Sequence, residues 1–116
     1  MITGLHTILF SPDADRVRQF LGEVLDFDSV DAGGGWRIFG PLPPAELAVH
    51  PSDDGPRHEL YLMCDDIDLT IEQLATRGVE VTGPPSDERW GRATAIKLPG
   101  GGELGLYEPR HPSPIT

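Results

Sequence analysis

A single cysteine, Cys64, stands in the whole 116-residue chain, so no intrachain disulfide and no C-x-x-C zinc or redox site can form. That fits a reducing cytoplasm. Basic residues are also scarce: nine Lys and Arg against 19 Asp and Glu leave a formal charge of −10. The nine are scattered, which argues against a nucleic-acid partner, because phosphate contacts depend on clustered Lys and Arg. The same acidity argues against an anionic membrane surface. No run approaches the roughly 18 apolar residues needed to span a bilayer, and Met1-Ile2-Thr3-Gly4-Leu5-His6 lacks the basic and long apolar regions of a signal peptide. A soluble, unprocessed, cytoplasmic protein is expected.

What the chain has in quantity is glycine and proline, 14 and 12 residues. Such a content borders on low complexity, yet the apolar residues fall in periodic clusters between the Gly/Pro stretches. This predicts one folded, loop-rich domain of many short elements. Leu5 to Phe10 is β-prone and ends at the helix-start chemistry of Ser11-Pro12-Asp13. Val17, Phe20, Leu21, Val24 and Leu25 form the stripe of an amphipathic helix over 13–25. Strands are predicted at Phe27–Val30, Trp36–Phe39 and Glu46–His50, with a turn at Gly33-Gly34-Gly35. The second half repeats the order: a strand His58–Cys64, a helix Asp66–Arg77 ended by Gly78, then strands at Val79–Thr82, Ala93–Leu98 and Glu103–Tyr107.

The repeat divides the chain into module one, about 1–54, module two, about 55–110, and a tail, 111–116. Leu42-Pro43 through Glu46-Leu47-Ala48-Val49-His50 matches Leu98-Pro99 through Glu103-Leu104-Gly105-Leu106-Tyr107. His6 opens the first strand of one half and His58 that of the other. Two copies of one unit place equivalent residues about a pseudo-twofold axis, so the two histidines are expected to face one site, which points to a metal. Cys64 reads as a small core residue and His50 as surface.

Leu5-His6-Thr7, the stretch from Asp13 to Leu25-Asp26-Phe27, His58-Glu59-Leu60, Asp66-Ile67-Asp68 to Arg77-Gly78-Val79-Glu80-Val81, and Leu106-Tyr107-Glu108-Pro109 resemble, in this order and spacing, the vicinal oxygen chelate superfamily. That group contains glyoxalase I, bleomycin- and fosfomycin-resistance proteins and extradiol dioxygenases. The resemblance runs from about Leu5 to Arg110 and implies an α+β fold: two βαβββ modules whose eight strands form an incomplete barrel around a cleft, often in a homodimer.

In members resembling glyoxalase I, a divalent metal is bound from the first and fourth strands of each module. By that resemblance the metal ligands are His6, Glu46 and His58. The fourth falls on Gly105, which has no side chain; Glu103, two residues earlier on the same strand face, is the candidate substitute, both as ligand and as catalytic carboxylate. Such nitrogen and oxygen donors suit nickel, cobalt, zinc, manganese or iron(II). The ion would polarise adjacent oxygens of a small, oxygen-rich metabolite, in isomerase, lyase or transferase chemistry. Trp36, Trp90, Arg92 and Tyr107 are candidate cleft-lining residues, with ordinary core packing and a solvated Arg92 as the alternative. The rival function is a metal-free protein of the bleomycin-resistance kind, which sequesters a small molecule without transforming it. The missing side chain at Gly105 favours that rival.

Overall fold

The structure, a computed structural model, describes residues 6–34, 36–51 and 53–115. Met1–Leu5, Gly35, Ser52 and Thr116 lie outside the described residues, and with them parts of the N-terminal reading, the first predicted strand, the glycine turn and the tail.

Helix α1, Ala14–Gln19, follows Asp13 and runs directly into a π-helical turn, Phe20–Val24. The wider turn lets the Leu25 N–H reach the Phe20 carbonyl at 3.2 Å. Val17 and Phe20 of the predicted stripe are buried. Helix α2, Ile67–Thr76, is capped at its start by two carboxylates. Asp66 accepts from the Leu69 N–H at 3.1 Å and Glu108 from the Ile67 N–H at 3.0 Å, satisfying donors that have no partner within the helix. At its other end Gly78, with φ +78°, turns the chain so that the Val79 N–H bonds the Leu74 carbonyl at 3.0 Å.

The strands form two separate sheets. β1, Ser29–Asp31, and β2, Arg37–Phe39, make an antiparallel ribbon. β3, Tyr61–Met63, β4, Ser86–Glu88, β5, Gly91–Lys97, and β6, Glu103–Pro109, make a second sheet in the order β3–β6–β5–β4. β3 runs parallel to β6 with Leu62 opposite Leu106, and β5 runs antiparallel to β6 with Ala95 opposite Gly105.

The result is a small α+β fold with two helices and two sheets, and the sheets do not close into a barrel. Six strands are present among the described residues in place of the eight expected. Residues 6–10 and 46–50, predicted as the first and fourth strands of module one, belong to no strand. Their apolar side chains stand in water, Phe10 and Val49 each 91% exposed. Alternation makes such a segment ready to pair, but a ladder needs a neighbour, and none pairs with them among the described residues. Val79–Thr82 is reduced to one bridge, Val81 to Ile96. The strand beside β5 is instead Ser-Asp-Glu, all exposed, which carries no apolar alternation and is held by backbone pairing to β5.

One face of the larger sheet carries the core. Leu104 and Leu106 of β6 and Ile96 of β5 pack with Ile67 and Leu74 of α2, and Phe20 joins them from the first half. The Arg77 Nη1 donates to the Val24 carbonyl at 2.6 Å, a cation at a helix C-terminal end that ties the two helical segments together. Among the described residues no helix is long and apolar enough to cross a membrane.

Candidate functional site

Because side chains alternate along a strand, burying Leu104 and Leu106 against α2 turns Glu103, Gly105 and Tyr107 to the opposite face. Register adds Ala95 and Ala93 from β5 and Tyr61 from β3 to that face. Gly105, Ala93 and Ala95 keep the floor low. Above it opens a cavity of about 570 Å³, whose lining also includes His58, Glu59 and Glu103.

The floor is shaped by one close approach. A Cβ on Gly105 would fall inside the contact distance of Tyr61 Cγ, Cδ1 and Cε1, so the Tyr61 ring takes the space that any side chain at 105 would need. Trp90 and Tyr107 brace this ring edge-on, with centroids 6.0 and 5.5 Å from it. The Tyr61 hydroxyl donates to Glu59 Oε1 at 2.9 Å, and Arg57 Nε donates to Glu59 Oε2 at 3.1 Å. Burial, then the bond to Glu59, pushes the Tyr61 phenol up, while Tyr61 and then Arg57 hold Glu59 below the usual carboxylate range.

A second polar cluster lies around Tyr107, which is 8% exposed. Its hydroxyl donates to Glu46 Oε1 at 2.9 Å and lies 3.1 Å from His111 Nε2. Ser113 Oγ donates to Glu46 Oε2 at 2.6 Å. Residues 111–115 are thereby fastened to the middle of the chain. Ser113 first, then Tyr107 and the charge of His111, lower the Glu46 pKa. Burial and the bond to Glu46 push Tyr107 up to about 12.

Of the residues singled out in the sequence, His58 and Glu103 line the cavity. His6 is exposed in the irregular segment 6–10, and both Glu46 oxygens are engaged by Tyr107 and Ser113. Among the described residues no three His, Cys, Asp or Glu side chains are grouped as a metal would require. Trp90 and Tyr107 back the cavity through Tyr61. Trp36 is 71% exposed, with the Arg18 guanidinium 5.9 Å from its ring centre. Arg92 points to the helix side of the sheet, where it binds Asp68 at 2.8 and 3.4 Å. Cys64 is half-buried against the core, and burial pushes its thiol up.

Sequence reasoning passed over Tyr61 and Glu59, which dominate this site. Their common parity in His58-Glu59-Leu60-Tyr61-Leu62-Met63 was a signal, but apolar residues occupy both faces of that strand. Only the pairing of Leu62 with Leu106 decides which face meets the core.

No curated protein matches the chain. Among solved structures it is similar to TnmS3, an antibiotic binding protein from Streptomyces sp. CB03234, with 27% identity over 94% of this chain and 99% of that one and a TM-score of 0.60. It is similar to a member of the Glyoxalase/bleomycin resistance protein/dioxygenase superfamily from Sphaerobacter thermophilus, with 28% identity over 92% and 98% and a TM-score of 0.60. Its fold also resembles a lactoylglutathione lyase from Agrobacterium tumefaciens, at 16% identity over 88% and 90% and a TM-score of 0.61. The family match spans residues 4–109, nearly the whole length, and the chain belongs to the Glyoxalase/Bleomycin resistance protein/Dioxygenase superfamily.

Proposed function

We propose that the protein binds a small molecule over the open face of β3–β6 and sequesters it without transforming it. The observation that carries this reading is the Tyr61 ring lying on Gly105. Where the superfamily's metal-dependent members offer a carboxylate, this chain offers an aromatic surface, which supplies no oxygen or nitrogen ligand to a metal and suits an organic molecule. The likeness to an antibiotic-binding protein at 27% identity supports the same reading.

A second reading, a divalent-metal isomerase, lyase or transferase acting on an oxygen-rich metabolite, is favoured by His58 and Glu103 lining one cavity. It requires His6 and Glu46 to join them, with Glu103 moving the proton and nickel, cobalt, zinc, manganese or iron(II) polarising the substrate oxygens. The two readings separate in one experiment. Protein purified without a His-tag is assayed for metal, reconstituted with each of these ions, and titrated with planar organic dyes in the metal-free state. Dye binding without metal supports sequestration. Stoichiometric metal that is lost in both His6→Ala and His58→Ala overturns it.

Association into a homodimer, in a reducing compartment suited to one free thiol, belongs to the same proposal. The accessible surface is 8916 Å², against about 6,200 Å² for a compact monomer of this mass. Phe10, Leu47 and Val49, 80–91% exposed, contribute to it, and exposed apolar surface of this kind suits a protein interface. A second copy pairing with residues 6–10 and 46–50 would supply the strands that the two-module barrel requires. A 12.6 kDa sedimenting species at micromolar concentration counts against it.

A further inference from the structure

Resting on the sequestration reading, we propose that the ligand is a flat aromatic molecule carrying a positive charge, its rings lying on Tyr61 and its charge facing Glu103. Tyr61 is a fixed platform. Gly105 backs the ring, Trp90 and Tyr107 meet it edge-on, and the hydroxyl is tied to Glu59. The residue is still 37% exposed, and it lines the cavity. A ring already held in place loses little freedom when a second ring stacks on it. Around it the floor of Gly105, Ala93 and Ala95 rises no higher than a methyl group. This is a shelf, suited to a plane.

The charges around the shelf select the sign of the ligand. Among the described residues the lining contains two carboxylates, Glu59 and Glu103, one histidine, His58, and no Lys or Arg. Glu59 is shared with Arg57. Glu103 is exposed and has no ion-pair partner among the described residues, because Lys97, its cross-strand neighbour, directs its ammonium to Glu80 at 3.4 Å. An aromatic cation satisfies the ring and the carboxylate at once, through stacking, cation–π attraction and charge pairing. A planar anion meets the open carboxylate of Glu103, and an aliphatic cation leaves the platform uncovered.

The test is fluorescence titration of the full-length protein with proflavine, a planar aromatic cation, beside a planar anthracene sulfonate and with spermidine as an aliphatic competitor. Proflavine is expected to bind at least about tenfold more tightly than the sulfonate. Tyr61→Leu weakens it by roughly tenfold, while Tyr61→Phe retains it. Glu103→Lys, at an exposed position where folding is not at stake, turns the preference toward the sulfonate. Sulfonate binding as tight as proflavine, or proflavine affinity unchanged in Tyr61→Leu and Glu103→Lys, overturns the inference while leaving sequestration standing. If none of the three probes binds, sequestration itself fails and the inference falls with it.

Discussion

Tyr107 donates a 2.9 Å hydrogen bond to Glu46 across 61 residues of chain, and through Glu46 it holds Ser113 as well. The first half of the molecule, the last strand and the tail are thus joined at one carboxylate. Tyr107→Phe removes one bond while keeping the ring, and lowers stability in urea by about 1 kcal/mol. Because the bonds share Glu46, Tyr107→Phe and Ser113→Ala are expected to be non-additive in a double-mutant cycle. Strict additivity would show that the cluster does not act as a unit.

Acid unfolding follows from the same carboxylate together with Glu59 and Asp68. Hydroxyl partners hold Glu46 and Glu59 below 4.5, and Arg92 holds Asp68 below 3.8. These groups bind fewer protons folded than unfolded. Their stabilisation is therefore complete above about pH 4.5 and is lost as pH falls through the lowered values. Thermal melts across this window are expected to show a steep acid limb that is shallower in Glu46→Gln. An identical limb in the variant assigns the acid sensitivity elsewhere.

At the alkaline end the two tyrosines of the chain govern. Both phenols are pushed above 10.0, Tyr107 to about 12. A raised phenol keeps its proton in the folded state after the unfolded chain has lost it, so this stabilisation is full below pH 10 and declines as pH rises toward 12. Ultraviolet titration of the native protein is expected to show no phenolate transition at the ordinary tyrosine position. In Tyr61→Phe the single remaining transition lies near 12. A full-amplitude step at pH 10 contradicts the buried, Glu46-bonded phenol.

Gly105→Ala tests the seat of Tyr61. The added methyl group collides with the ring, and displacing it costs about 1–3 kcal/mol. Tyr61→Ala in the same chain vacates the space, so Gly105→Ala should cost much less in that background. Equal costs in both backgrounds would separate Gly105 from Tyr61.

Legibility in the sequence followed the reach of each signal. α2 was readable because its stripe, its Asp66 cap and Gly78 all lie within a dozen residues, and β5 and β6 were readable from apolar alternation. β4 was not, since Ser86-Asp87-Glu88 owes its place to β5 alone. Residues 6–10 and 46–50 have strand chemistry, yet pairing is a property of neighbours, and here they have none within the described chain. At the site, His58 and Glu103 came from the internal repeat together with the family resemblance. Tyr61 escaped because its importance depends on what is absent at Gly105, forty-four residues away. The partners of Glu46 escaped for the same reason, with Ser113 in a tail that offers no periodicity at all.

The core cluster has an unequal ownership: of its six buried members only Phe20 precedes residue 60. Helix α1 and its π turn therefore find their buried partners in α2, β5 and β6, so residues before 60, cut away from the rest, would keep no core of their own.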